Sequence, residues 1–176
     1  MQSIPHLLLA LAVLGACSAV GAELPKRVGA SAFSLALYDG GGLWGTQELF
    51  VLTNGVAYAR VGRPSKKEEA GMQERRYKTQ LTANEVQTLR TLLDQHQVLS
   101  LTATNRKGVP DEAGATISLR LAASQRRDVF QWERDAQAGF KAIHHHLLAI
   151  IRRVAKTQPV YQGQWVHRWT PEGFDR

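Results

Sequence analysis

The chain has 176 residues, with 22 Lys and Arg against 15 Asp and Glu and a net charge of +7 at pH 7. Its single cysteine excludes an internal disulfide. Proteins that bind single-stranded nucleic acid interleave aromatic and basic residues, and this chain does not, so we expect no nucleic-acid partner. The length that remains after an N-terminal signal is enough for one domain with its own hydrophobic core.

The N-terminal segment is apolar from Leu7 to Leu14 and ends in Gly15-Ala16-Cys17. This run is shorter than the roughly 20 apolar residues of a membrane-spanning helix and is typical of the hydrophobic region of a secretory signal. Because the cysteine directly follows small residues, the segment resembles a bacterial lipoprotein signal. That resemblance implies that residues 1–16 are removed and that Cys17 is lipidated. Small residues, Pro25 and Gly29 predict a tether over residues 17–30.

A second small-residue site, Val20-Gly21-Ala22, is close to the type that the ordinary signal peptidase cuts. Cleavage after Ala22 would release a soluble periplasmic or secreted protein without a cysteine. If Cys17 is retained instead, Ser18 in the next position resembles lipoproteins that Gram-negative cells sort to the outer membrane. The segment therefore predicts a cell-envelope protein, lipid-anchored and facing the periplasm, and leaves the choice of cleavage site open.

The first half of the domain has the period-two pattern of strands. Alternation around Leu35 predicts a first strand, and three more are predicted over Gln47–Thr53, Val56–Val61 and Glu74–Gln80. Asn54-Gly55, between the second and third strands, suits the positive φ angles of a type I′ turn and predicts a hairpin. The glycines Gly40-Gly41-Gly42 precede a strand rather than a helix, so we interpret them as a turn and not as a phosphate-binding loop.

The pattern then becomes helical. Thr82 and Glu85 have the spacing of a capping box, and a leucine stripe behind them predicts a helix over 82–97. A hairpin over Thr116–Leu121 and Arg127–Trp132 follows a long loop, while Val98–Leu101 forms at most a short strand. Asp135 is the predicted cap of a final helix that extends to about Lys156, with basic residues in its last turns.

Runs of strands with separate helices predict an α+β fold, an antiparallel sheet of about five to seven strands with two helices packed on one face. The single domain would span 31–156, followed by an aromatic C-terminal tail, 157–176. Over 32–154 the order of elements, the Asn54-Gly55 hairpin and the capping box resemble small exported bacterial domains of unknown function. That resemblance implies no activity and no site residues.

No catalytic residue, metal site or cofactor is predicted. His144, His145 and His146 are consecutive, so a helix would point them about 100° apart instead of toward one metal ion. Asp111 and Glu112 are adjacent carboxylates without an evident partner, and the chain has no H-E-x-x-H, G-x-S-x-G or S-x-x-K motif. We therefore lean toward a protein that is not an enzyme.

Basic residues are concentrated between Arg60 and Lys78, namely Arg60, Arg63, Lys66, Lys67, Arg75, Arg76 and Lys78. Such a patch could meet anionic lipid head groups or an acidic partner. The alternative, which we favour, is a solvated loop and edge strand whose charges discourage aggregation.

The tail is rich in aromatic residues. In an extended chain Trp165, His167 and Trp169 share one face, and tryptophans beside an arginine are frequent contacts at interfaces. These three residues are therefore the candidate partner contacts. The alternative, which we favour, is that the tail packs back on the domain and buries its rings.

The sequence thus favours a non-catalytic envelope lipoprotein domain that binds another envelope component, protein or glycan. Two alternatives remain: an envelope hydrolase that uses Asp111 and Glu112 with a histidine, and an inhibitor or immunity-type partner of an envelope enzyme. The predicted membrane contact is the lipid anchor on Cys17.

Overall fold

A computed structural model describes residues 27–29, 31–40, 45–65, 71–121 and 125–174. The elements are β1 (Phe33–Gly40), β2 (Thr46–Val51), β3 (Val56–Pro64), β4 (Met72–Gln80), α1 (Ala83–Gln95), β5 (Gly114–Leu121), β6 (Gln125–Trp132), α2 (Ala138–Val154) and β7 (Tyr161–Gln164). The seven strands of this part form one antiparallel sheet in the order β6-β5-β1-β2-β3-β4-β7. The predicted α+β class is confirmed; the predicted signal, Cys17, Gly41 and Gly42 lie outside the described residues.

The helices cover one face of the sheet, here called the inner face. Alternate strand residues point toward them and form one core with the apolar stripes of α1 and α2, as in Leu37, Leu49, Ile117, Leu93 and Leu147. Leu37 pairs with Leu49 on one side and Ile117 on the other. A slip of one residue would turn this buried row to the opposite, outer face, so the apolar pattern defines the register.

The first hairpin forms where it was predicted, but its turn is different. Of Asn54 and Gly55, only Gly55 has a positive φ (+80°), so the predicted type I′ turn is wrong. The Gly55 amide donates to the Leu52 carbonyl (2.9 Å), and the Leu52 amide donates to the Val56 carbonyl (2.8 Å). This is a three-residue loop that ends in a glycine bulge, the next most common hairpin connection.

The beginnings of the two helices differ in how well they follow the sequence. The capping box is confirmed, since the Glu85 amide donates to the Thr82 hydroxyl (3.2 Å) and the Thr82 amide to the Glu85 carboxylate (2.8 Å). The predicted cap of α2 is wrong: Asp135 lies in a 3-10 turn and binds Arg106, and α2 begins after Gln137. After α1, where the sequence predicts at most a short strand over Val98–Leu101, the chain also forms a 3-10 turn, Val98–Ser100.

The C-terminal tail contributes to the sheet and also covers part of its outer face. Its strand β7 pairs with β4, so β4 is not an edge strand. Beyond β7 the chain crosses the outer face, where Trp169 and Phe174 contact the fully buried ring of Phe50 with ring centroids 5.6 and 5.1 Å apart. Tail and domain therefore share one folded unit.

We predict that deletion of residues 159–176 lowers the melting temperature by at least about 5 °C. Full burial of a large apolar side chain contributes roughly 1.5–3 kcal/mol, and for a chain of this size each kcal/mol shifts the midpoint by roughly 2–4 °C. Thermal unfolding followed by circular dichroism measures the shift.

If the truncated chain does not accumulate, Trp169→Ala should still show a lower midpoint, because Trp169 packs against Phe50. His167→Ala is the matched control, since His167 is exposed at a turn of the same tail. A truncated chain that melts at the wild-type temperature would rule out a structural role of the tail.

Candidate functional site

A buried group of charged residues lies on the outer face beneath the tail. Arg60 on β3 and Glu74 on β4 are each 1% exposed, and the Arg60 Nε donates to Glu74 Oε2 at 2.6 Å. A second Arg60 nitrogen donates to Glu48 Oε2 at 3.2 Å, and Arg76 forms an ion pair with the other Glu74 oxygen. We call Glu48, Arg60, Glu74 and Arg76 the arginine–glutamate network. The predicted solvated patch is wrong for Arg60.

The tail completes this network from above. The Arg60 Nη2 donates to the Val166 carbonyl, and the Val166 amide donates to Glu74 Oε2 at 3.3 Å. The Trp165 ring lies over Arg60, with its centroid 3.3 Å from the guanidinium carbon. A Cβ on Gly62 would lie 2.5 Å from the same ring, so glycine at this position admits the close approach of Trp165. Tail and network are therefore one interlocked contact.

The tail covers the β2–β4 half of the outer face and leaves a cleft of about 430 Å³ beside it. We call it the outer-face cleft. From the strands it is lined by Tyr38, Thr116, Ser118, Arg120, Arg126 and Asp128. From the tail it is lined by Trp165, His167, Arg168, Trp169 and Phe174. Its volume falls within the roughly 300–1,000 Å³ of small-molecule sites.

The strand side of the outer-face cleft is charged and accessible. Arg126 and Asp128 form an ion pair at 2.8 Å in which both side chains are about half exposed. Burial raises the pKa of the Asp128 carboxyl, but the hydrogen bond from Ser118 and the nearby arginines lower that pKa by more, so it lies below its ordinary value. Asp128 is therefore an ionised acceptor at neutral pH, and it suits a ligand hydroxyl better than it suits acid catalysis.

Trp165, His167 and Trp169, the predicted partner contacts of the tail, all line the outer-face cleft, but they do not share one face of an extended segment. The chain turns at His167–Arg168, so the interpretation as an extended segment with one shared face is wrong. Trp165 and Trp169 are half-buried against the sheet, whereas His167 is exposed. The two tryptophans thus both pack on the domain and border the cleft.

A second cavity, of about 450 Å³, lies on the helix side at the end of β1. Here His144 Nε2 lies 3.3 Å from Asp39 Oδ2, and both side chains are mostly buried. His145 is exposed, as helical geometry predicted for the middle histidine. The described residues that line this cavity include no Ser, Thr or Cys nucleophile, and no described group of His, Cys, Asp and Glu could hold a metal ion.

Asp111 and Glu112, the carboxylates of the hydrolase hypothesis, line neither of these two cavities. Asp111 is exposed in a turn with φ +63°, and Glu112 accepts two hydrogen bonds from Arg106, at 2.6 and 2.9 Å. These bonds lower the pKa of Glu112. Because Arg106 also binds Asp135, the three side chains fasten the loop before β5 to the start of α2. Glu112 is thus held by an arginine while Asp111 points to solvent, and this placement offers the hydrolase hypothesis no support.

Sequence analysis missed the strand side of the cleft. The sequence predicts a strand over Thr116–Leu121 but assigns no function to Thr116, Ser118 and Arg120, whose side chains point to the outer face. Their partners Arg126 and Asp128 alternate in the same way on β6. The available signal was that the outward positions of two paired strands hold arginines and small hydroxyl residues. That pattern identifies a polar face, but it does not reveal that the tail stops beside it.

We predict that Arg60→Met and Glu74→Met each destabilise the protein by about 3–5 kcal/mol, because each removes one partner of a buried charge that the remaining partners compensate only in part. The double variant should lose clearly less free energy of unfolding than the two single variants lose together, as expected for two residues that interact directly. Urea unfolding followed by tryptophan fluorescence measures the three free energies.

Arg126→Gln is the matched control, since its ion pair is half exposed and should contribute less than about 1 kcal/mol. Strictly additive losses for Arg60 and Glu74 would contradict a coupled buried pair. So would a loss at Arg126 as large as that at Arg60.

No protein-family model matches this chain, and a search of the curated proteins finds no match to its sequence. No helix in the described part of the chain is long and apolar enough to cross a membrane. Function is therefore inferred from the residues of the site itself.

Proposed function

We propose that this protein is a non-catalytic binding domain of the cell envelope, which binds another envelope component in the outer-face cleft and is held at the membrane through Cys17. The observation that carries the proposal is the cleft itself, an open concavity between the packed tail and the outer-face side chains of β5 and β6, with aromatic and charged residues in its lining. The envelope location rests on the signal-like N-terminal sequence.

Binding fits the chemistry of the cleft better than catalysis does. A general base needs a pKa near the working pH and a hydrogen-bond partner that orients it. The Asp128 carboxyl instead has a lowered pKa and an arginine partner. The Glu48 carboxylate, at the edge of the same cleft, binds the buried Arg60. Such groups recognise a ligand by charge and hydrogen bonding without transferring protons.

The packing of the tail also favours a preformed site. Trp165 is held by Arg60 and Gly62, and Trp169 is held by Phe50, so one wall of the cleft is anchored in the core before any ligand arrives. Preformed walls reduce the ordering cost of binding. An inhibitor or immunity-type role remains an alternative, and it would use the same cleft or the turn at His167–Arg168 as its contact.

The predicted tether limits where that partner can lie. Val28, the first buried residue in the described part of the chain, follows Cys17 by eleven residue steps. At about 3.5 Å per extended residue this is a reach of no more than about 40 Å. Val28 itself is fastened to α1, since its amide donates to Asp94 Oδ1 at 2.5 Å. A lipid-anchored domain would therefore search for its partner close to the membrane surface.

We predict that Cys17 is the mature N-terminus and carries lipid. Intact-mass analysis of the membrane fraction should give a chain that begins at Cys17 with added acyl mass, and Cys17→Ala should move the protein out of that fraction. A mature chain that begins at Glu23 in the soluble fraction would contradict the anchor. It would leave the cleft and its binding role intact.

We predict that a photoreactive group in the cleft captures the partner in living cells. With p-benzoylphenylalanine in place of His167, which is exposed at the rim of the cleft, illumination of cells that express the full-length protein should give an adduct that mass spectrometry identifies as an envelope component. The same group in place of Thr91, which is exposed on α1, is the matched control and should give no such adduct. Equal adducts at both positions, or none at either, would overturn the proposed binding site.

A further inference from the structure

A cleft of about 710 Å³ lies on the inner face of the sheet, where α2 ends. We call it the inner-face cleft. The strands β3 and β4 contribute Val61 and Tyr77 to its lining, β7 contributes Gln162, and Ala155 follows the last residue of α2. Because α2 ends at Val154, this part of the inner face has no helix above it. The cleft is separate from the outer-face cleft, which lies on the other side of the sheet.

Two arginines of this cleft are neighbours on the inner face. Arg63 alternates with Val61 along β3, and Arg75 alternates with Tyr77 along β4, so the four side chains point to the same face. Arg75 pairs with Val61, which places it diagonally from Arg63. Side chains at diagonal positions of an antiparallel pair lie roughly 7–8 Å apart, within the reach of two arginines. Their like charges therefore repel each other unless an anion lies between them.

No described carboxylate compensates these two positive charges. Both arginines are exposed, and within the described part of the chain neither side chain forms an ion pair or a hydrogen bond. Among the described residues that line the cleft, Glu74 is the one carboxylate, and its oxygens already bind Arg60 and Arg76. Residues 66–70, between β3 and β4, contain two lysines and two glutamates and add no net charge. The cleft therefore has a surplus of two positive charges.

The end of α2 does not offset this surplus. The last carbonyls of a helix carry partial negative charge where they are unpaired. Here the Arg153 and Val154 carbonyls accept hydrogen bonds from the amides of Lys156 and Thr157. Arg152 and Lys156 are exposed near the same helix end and add positive charge there. An anion that approaches the cleft is therefore attracted from both the sheet and the helix.

Protection of a sheet edge does not account for these charges. Basic residues on an edge strand discourage aggregation, but β4 is paired with β3 on one side and with β7 on the other. Arg75 thus lies inside the sheet, where like charges at neighbouring positions reduce stability. Two adjacent arginines that lower the stability of the fold and converge on one concave surface are better explained by an anionic ligand.

We propose that the inner-face cleft binds an anionic phospholipid of the membrane at which the domain is anchored. The lipid phosphate lies between the guanidinium groups of Arg63 and Arg75, whose paired donors match phosphate oxygens. Val61, Pro64 and Tyr77 offer apolar surface to the glycerol and the first methylene groups of the lipid. An acidic peptide would match the arginines but not this apolar surface. A neutral head group such as choline would bring its own cation close to two arginines.

The length of the predicted tether allows this contact. The tether leads into β1, whose Leu35 lies level with Ala57 near the start of β3, because both pair with the same residue of β2. Arg63 is six residues further along β3, about 20 Å away. The tether reach of about 40 Å exceeds that distance. The choice of a lipid rests on the proposed anchor at Cys17, whereas the outer-face cleft plays no part in it.

The test measures the unfolding midpoint of the full-length protein in dodecyl maltoside micelles, followed by tryptophan fluorescence as a lipid is added. Dioleoyl phosphatidylglycerol is the anionic lipid, and dioleoyl phosphatidylcholine has the same chains and phosphate but a neutral head group. Glycerol 3-phosphate and a tri-aspartate peptide are the soluble probes. At about ten times its dissociation constant, phosphatidylglycerol should raise the midpoint by at least about 3 °C. The other three probes should not raise it.

Arg63→Gln/Arg75→Gln should abolish this rise, because it removes both guanidinium groups. Without added lipid, the midpoint of this variant should equal or exceed that of the wild type, since the repulsion between the two charges is relieved. The matched control is Lys107→Gln/Arg134→Gln, which removes the same charge from exposed positions beside β6, at the opposite edge of the sheet. It should keep the full rise. If the double variant does not accumulate, Arg75→Gln alone should reduce the rise.

The inference is overturned if phosphatidylglycerol gives no rise, if phosphatidylcholine gives an equal one, or if the rise persists in the arginine variant. An equal loss of the rise in the control variant would also overturn it. A rise with glycerol 3-phosphate would assign the cleft to a soluble phosphate, and a rise with tri-aspartate would assign it to an acidic protein. Either result rejects the lipid.

The proposed function is tested separately, by the adduct at position 167 in cells and by the mass of the mature chain. If the adduct forms while phosphatidylglycerol gives no rise, the phospholipid inference fails and binding in the outer-face cleft stands. If phosphatidylglycerol gives the expected rise and no adduct forms, the phospholipid site stands and the proposed function fails.

Discussion

The buried guanidinium of Arg60 is the constraint on which the outer face depends. A charge that is almost completely removed from water is tolerated only when nearly all of its donors are paired. Glu48 and Glu74 supply two partners, but the remaining donors face outward from the sheet and need a third. The Val166 carbonyl provides it, and the Trp165 ring excludes water from above. The network therefore requires the tail, and the position of the tail follows from the network.

This requirement explains why the two faces of one sheet differ so much. The inner face is covered by two apolar helical stripes, so its core is made almost wholly of aliphatic side chains. The outer face is covered by an irregular segment that can reach only part of it, and Phe50 is the buried apolar residue that anchors the end of that segment. Where the cover ends, strands β5 and β6 expose a polar surface beside it. The outer-face cleft thus lies where the cover provided by the tail ends, beside the polar side chains of β5 and β6.

The edges of the sheet are protected in two different ways. At one edge β7 has only four residues, too few to template a long added strand. At the other edge the segment after α1 lies against β6: the Thr104 amide donates to the Phe130 carbonyl (2.8 Å), and Arg127 donates to the Leu101 carbonyl (2.5 Å). Arg106 and Glu112 fasten the rest of that loop. Recognition by strand addition is therefore disfavoured, and recognition through side chains is favoured.

Local structure could be predicted from the sequence where it depends on residues close together in the chain. The capping box at Thr82, the hairpin at Gly55 and the alternation of strand residues are the examples. The sequence by itself therefore determined the α+β class, the inner-face core and the two helices. Prediction failed where a residue distant in sequence binds the same group. Asp135 was expected to cap α2, but its carboxylate binds Arg106 instead. Only tertiary structure decided that Arg60 is buried and that the tail ends beside β5. Both depend on contacts between residues about a hundred positions apart in the chain. Such contacts leave no periodic pattern in the sequence from which they could be predicted.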